Sequence, residues 1–243
     1  MNELKIEINT HDGVADGYLY VNESAGPKPG IAFYTDIFGI RQANRDMASQ
    51  LCLDGFTVLL PNVFYRTTKP PIIDRSAPEE NVRKRFGEIA APLTPDALRA
   101  DAVSYIDFLS DQSSVTVGSM GSVGYCFTGK LALITTATRP DRVTAAASFH
   151  GGGLYSDDPD SPHHVLPDVK ANLYFGHAFE DRSMPADAIA NLDDALEEWG
   201  GEFESEIYEN AGHGWTVPDS PVYNHAEAEK AYEKLIALFR NAL

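Results

Sequence analysis

Residues 119–130 read SMGSVGYCFTGK, an apolar, glycine-rich run that ends on Cys126 and passes into a helix-forming segment. Two chemistries overlap in it. Gly124 to Lys130 fits the first seven positions of a phosphate-binding P-loop, G-x-x-x-x-G-K. A working P-loop places Ser or Thr directly after the lysine, because that hydroxyl binds the Mg²⁺ accompanying the nucleotide. Here the position is Leu131, and no strongly apolar strand ending in Asp offers a second metal-holding element. The other reading is a nucleophile elbow, a sharp turn between a buried strand and a helix, with small residues around it to avoid clashes. Gly124 stands two before Cys126; Thr128 stands where many elbows have glycine, and Gly129 follows one place later. The helix after the turn would put free N–H groups and a partial positive charge beneath the sulfur, favouring thiolate over thiol. A buried cysteine at the end of a Gly-rich strand is the plain alternative, so the rest of the chain has to decide.

Working outward, apolar β-rich runs alternate with helical patterns. LKIEI (4–8) and GYLYV (17–21), with the turn signal Asp12-Gly13 between them, predict an antiparallel start. Further strands are expected at 30–35, 56–61, 119–125, 143–150, 172–177 and 203–209. Helices are expected around 41–53, 95–109, 128–138, 186–199 and 226–239, and residues 62–80 read as a long irregular, Pro-rich stretch. This alternation predicts an α/β fold: a mostly parallel central sheet with an antiparallel N-terminal hairpin and helices on both faces. No repeat or linker interrupts it, so residues 1–243 read as one domain.

Charge narrows the partners. Nineteen Lys plus Arg stand against 36 Asp plus Glu, for a net charge of -17. Such a surface repels phosphate backbones and anionic lipid, which argues against nucleic acid or membrane as a partner. The N-terminus has no basic and apolar regions of a signal peptide, and no run reaches the length of a membrane span. Two cysteines, Cys52 and Cys126, are too few for a disulfide framework, and Cys52 reads as core filler on a helix. A reducing, cytoplasmic setting is the expectation; the oligomeric state is left open.

Downstream residues favour the elbow. The strand at 172–177 is followed by AFEDRSMP, which offers Asp181 with Glu180 as its competitor. The strand at 203–209 is followed by NAGHGW, which puts His213 in a Gly-flanked loop. Nucleophile, acid and histidine in that order, each after its own strand, is the order of the α/β-hydrolase fold. A histidine so placed reaches the sulfur with one ring nitrogen while a carboxylate holds the other.

These stretches, with DIFGI (36–40) and LLPNVFYR (59–66), resemble the dienelactone hydrolase family of α/β-hydrolases over nearly the whole chain, about Leu4 to Phe239. The resemblance implies Cys126 as nucleophile, Asp181 as orienting acid and His213 as base. It implies an oxyanion hole made by the backbone N–H groups of Ile37 and Phe127. It also implies an acid that helps to deprotonate the thiol; the family has Glu there and this chain has Asp36. Arg83 matches the first of two arginines that clamp a substrate carboxylate, whereas the second falls in Trp215-Thr216-Val217 and is missing. A less charged or differently shaped ester, lactone or thioester is then the expected substrate, with no cofactor required. Phe38 and Trp215, beside proposed catalytic positions, are candidate pocket residues.

Three features remain. His150-Gly151-Gly152-Gly153 looks like an HGGG oxyanion loop but follows the nucleophile instead of preceding it, so it reads as a turn shaping the pocket. SDDPDSPHH (156–164) reads as a solvated loop, its adjacent histidines and Pro and Ser punctuation arguing against a metal site. A hydrolase-fold protein that binds a ligand without turnover is the rival from another class, fed by Thr128 and Asp36; a thioesterase on the same triad is the nearer alternative.

Overall fold

The computed structural model describes residues 1–243, Ala25 by its backbone alone, and divides into two compact units, Met1–Val117 and Gly118–Leu243.

In the first unit, β1 (Asn2–Thr10) and β2 (Gly13–Val21) form the expected antiparallel hairpin, with Ile6 opposite Gly17. Then follow β3 (Gly30–Tyr34), α1 (Gln42–Leu53) and β4 (Thr57–Pro61). Both β3 and β4 are buried at every position, as continuous apolar runs in parallel sheets are. They pair in parallel, Ile31 opposite Val58, while β2 pairs antiparallel with β4, Leu19 opposite Leu59. Cys52 on α1 has no exposed surface, and burial pushes its thiol pKa up.

One helix departs from the expected pattern. α2 (Glu79–Ala90) occupies residues read as irregular chain and the gap before the next helix. Val82, Phe86 and Ile89 have i, i+4, i+7 spacing, but only Ile89 is buried. A helix that commits so little apolar surface to the core leaves a faint periodic signal. α3 (Pro95–Ser110) begins where Pro95 predicts, with the Thr94 hydroxyl accepting the Ala97 N–H at 3.2 Å. Its buried Asp101 is held by Arg66 at 2.6 and 2.9 Å and by the Tyr65 hydroxyl at 2.8 Å.

The second unit holds four parallel strands in the order β5 (Met120–Tyr125), β6 (Val143–Phe149), β7 (Asn172–Ala178) and β8 (Phe203–Tyr208). Gly124 lies opposite Ser148, Ser148 opposite Phe175, and Phe175 opposite Ser205. The helices are α4 (Gly129–Thr138), α5 (Ala186–Trp199) and α6 (His225–Ala242). Short 3-10 turns form at Cys126–Thr128 and Pro162–Asp168. The second overlaps the last three residues of the stretch expected to be a solvated loop, 156–164, and it buries Pro162, Val165 and Leu166. Parallel strands send their carboxyl ends to one edge, so the loops after β5, β7 and β8 emerge together. Those loops carry Cys126, Asp181 and His213. Among the described residues, no helix is long and apolar enough to cross a membrane.

Candidate active site

The turn at Cys126 is held in a conformation that few side chains adopt. Its φ is +60°, in the left-handed region that costs a non-glycine residue free energy. Two glycines make room for it. A Cβ on Gly124 would meet the Thr128 carbonyl, and one on Gly129 would meet the Ser148 hydroxyl and the Gly151 backbone. The close approach therefore falls at 129 and not at 128. Thr128 is fully buried, and its hydroxyl accepts the Tyr125 N–H and donates to the Tyr125 carbonyl, both at 3.0 Å. The departure from the usual elbow pattern is a side-chain clasp across the turn. Cys126 is half-buried.

His213 reaches this sulfur. Its Nε2 lies 3.0 Å from Cys126 Sγ and its Nδ1 2.5 Å from Asp181 Oδ2. Asp181 is buried, and its second oxygen accepts the Ser183 N–H at 2.8 Å and the Ser183 hydroxyl at 2.7 Å. Glu180, the competing acid, is exposed with a φ of +53°. Burial alone would lower the pKa of His213; the hydrogen bonds to Asp181 and Cys126 and their charges outweigh it and push the value up to about 10. Burial likewise disfavours the Asp181 carboxylate, but the His213 and Ser183 contacts prevail and hold it below its ordinary range. Ser183 escaped the reading of the sequence. The signal was there, since an Asp followed two residues later by Ser is the pattern of a turn in which the carboxylate caps its own backbone.

The remaining candidates sit as follows. Phe127 begins the turn into α4, half-buried, with the Lys130 ammonium 4.1 Å from its ring centroid. In the first unit, Asp36 accepts the Phe38 N–H at 2.9 Å and pairs with both terminal nitrogens of Arg41 at 2.7 Å each. Ile37 and Phe38 are half-buried in the same turn after β3, and the Phe38 ring packs against Arg75 and Arg41. Arg83 lies on the exposed face of α2, paired with Glu79 at 2.7 Å. Trp215 has no exposed surface; its ring packs on Tyr208 at 4.8 Å and edge-on against His150 at 5.2 Å. Val217, where the second arginine would fall, is also buried. His163 stacks on Tyr155 at 4.2 Å and shares a 2.7 Å hydrogen bond with Ser161. Among the described residues, no three His, Cys, Asp or Glu side chains gather to hold a metal ion.

A cysteine on a strained strand-to-helix turn, with a histidine and a buried carboxylate on later strand ends, defines the class: this is an α/β-hydrolase fold. Solved structures bear this out. A dienelactone hydrolase from Anabaena variabilis superposes with a TM-score of 0.73 at 20% identity, over 100% of this chain and 98% of that one. A dienelactone hydrolase-like promiscuous phosphotriesterase from metagenomic libraries gives 0.80 at 19% identity, over 99% and 98%. Within that class the chain belongs to the dienelactone hydrolase family, whose model matches residues 15–243. A carboxymethylenebutenolidase from Rhodococcus opacus is 27% identical over 231 residues, 93% of this chain and 86% of that protein. The chain is accordingly a hydrolase.

Proposed function

We propose that the protein hydrolyses small carboxylic esters or lactones by acyl transfer through Cys126. The observation that carries this reading is the 3.0 Å contact between His213 Nε2 and Cys126 Sγ, with Asp181 on the far ring nitrogen. The proton shared between the sulfur and the imidazole lies on His213 as the sulfur attacks the carbonyl carbon. The π electrons move to the carbonyl oxygen, which accepts a hydrogen bond from the Phe127 N–H at the start of the helix. As the tetrahedral adduct collapses, the C–O bond to the leaving group breaks and His213 returns its proton to that oxygen. In a lactone the new hydroxyl stays tethered to the acyl group. A water then gives a proton to His213 and attacks the thioester, the C–S bond breaks, and the acid departs as the sulfur regains its proton. Asp181 stabilises the imidazolium in both halves and fixes the ring tautomer.

Substrate choice follows from charge. Val217 is buried where the family resemblance would put a second arginine, and Arg83 is already paired with Glu79, so the two-arginine carboxylate clamp is not reproduced, which favours uncharged esters and lactones. Burst kinetics with p-nitrophenyl acetate, then a panel of small esters and lactones, test the reading. Wild-type protein should show a burst of one equivalent per active site, and Cys126→Ala should lose it. Turnover retained in full by Cys126→Ala would overturn the mechanism.

A further inference from the structure

The His150–Gly153 segment is the one reactive-looking stretch that the mechanism leaves unused, and it touches all three loops of the site. The Gly152 N–H donates to the Cys126 carbonyl at 3.3 Å, on the elbow. The Gly153 N–H donates to the Ser183 carbonyl at 2.8 Å, on the acid loop. His150 Nε2 shares a 2.9 Å hydrogen bond with Thr216 Oγ1, three residues beyond the base. The His150 ring also packs at 62° against the His213 ring, centroids 5.1 Å apart, and against Trp215. Its own place is over-determined: it is buried, its φ is +40°, and its N–H donates to the Gly176 carbonyl at 2.7 Å.

Contacts of Nδ1 with Asp181 and, at 3.2 Å, the Ser183 hydroxyl, and of Nε2 with Cys126, fix His213 along the line joining its nitrogens but leave the ring free to roll about that line. A roll tilts the Nε2 hydrogen-bonding direction off the sulfur and the Nδ1 direction off Asp181. The flank of a second ring removes that freedom. We infer that His150 is the positioning residue of the site, holding the His213 ring in plane with Cys126 and Asp181 through direct ring contact and through Thr216. A phenylalanine could supply the contact but not the Thr216 bond. A lysine or arginine would set a cation beside the imidazolium that forms on His213. Burial, then the neighbouring His213, keep His150 well below the ordinary histidine range, so it stays neutral while His213 carries the proton.

This inference rests on the proposed acyl transfer, and the experiment separates the two. The full chain is assayed with p-nitrophenyl acetate, each rate normalised to burst amplitude so that only competent sites count. His150→Ala should lower kcat about 10- to 100-fold with KM moving less than about threefold, as misplacement of a catalytic group does. His150→Phe should fall between, Thr216→Val should match it, and Thr216→Ser should restore wild-type kcat. Iodoacetamide should alkylate Cys126 more slowly in His150→Ala, a readout independent of ester turnover. Wild-type kcat per competent site in His150→Ala overturns the inference, as does a loss confined to burst amplitude, which marks a purely structural role. If His150→Ala does not fold, His150→Phe and Thr216→Val decide by the same criteria. Were Cys126→Ala still active, the underlying mechanism would fall; were it inactive while His150→Ala kept wild-type kcat, only this inference would.

Discussion

His213 sits unevenly between its two partners, 2.5 Å from Asp181 through Nδ1 and 3.0 Å from Cys126 through Nε2. The short side is to a buried carboxylate whose other oxygen accepts the two donors of Ser183. The long side is to a sulfur, whose larger radius makes 3.0 Å a close approach. The ring is thus anchored at one end and aimed at the other.

Removing the anchor should show in both rate and stability. Asp181→Asn should lower kcat by roughly 10²- to 10⁴-fold, because the amide no longer fixes the tautomer or stabilises imidazolium. For stability, the folded pKa of His213, about 10, exceeds the unfolded value near 6.5. That contribution is fully present below pH 6.5 and is lost as pH rises through about 10. Asp181 has the opposite sign: its folded pKa is lowered, so its contribution holds above the ordinary carboxylate value and fades in acid. A Tm-against-pH curve should therefore decline on its alkaline limb in the wild type and be flatter there in Asp181→Asn. Identical alkaline limbs would contradict the coupling.

Why so much of this was legible lies in the strands. GIAFY, TVLLP and MGSVGY are buried at every position and NLYFGHA at all but Asn172, so they read as short, mainly apolar runs without a polar face. The site followed because parallel strand ends share an edge, so order along the chain maps onto place. What was hard to read depends on geometry that the sequence does not encode. Glu180 and Asp181 are chemically equivalent neighbours; the positive φ at Glu180 turns one outward and the other toward His213. α2 buries only Ile89, so its periodicity is faint, and Trp215, adjacent to the base by two residues, faces the core.

Acid sensitivity has a second source. His177 on β7 is buried, stacks on Phe175 at 6.2 Å between centroids, and among the described residues neither ring nitrogen has a hydrogen-bond partner. Burial pushes its pKa down to about 4. The unfolded chain takes up a proton near pH 6.5 while the folded chain resists until about 4, so stability is lost as pH falls across that window. The loss approaches about 3 kcal/mol at the acid end. His177→Phe should keep the stacking and flatten the acid limb in urea denaturation; an unchanged acid limb would assign the sensitivity elsewhere.

The Arg66–Asp101 pair makes a stability prediction within the first unit. Both side chains are at least nine-tenths buried, so Arg66→Met strands a carboxylate and should cost about 3–5 kcal/mol in denaturant unfolding. The double variant Arg66→Met/Asp101→Leu, with no charge left to strand, should recover most of that. Equal losses in the single and double variants would show that packing, not the unpaired charge, sets the cost.

The central claim, that Cys126 carries the acyl group, is tested most directly by trapping the intermediate. Protein quenched in acid during turnover of p-nitrophenyl acetate, then digested and mapped by mass spectrometry, should carry one acetyl group on the Cys126 peptide. That adduct should be absent from Cys126→Ala and accumulate in His213→Ala only slowly, since without the base the thiol is a weak nucleophile. Steady turnover with no acyl group on Cys126, or with the adduct on another residue, would contradict the account.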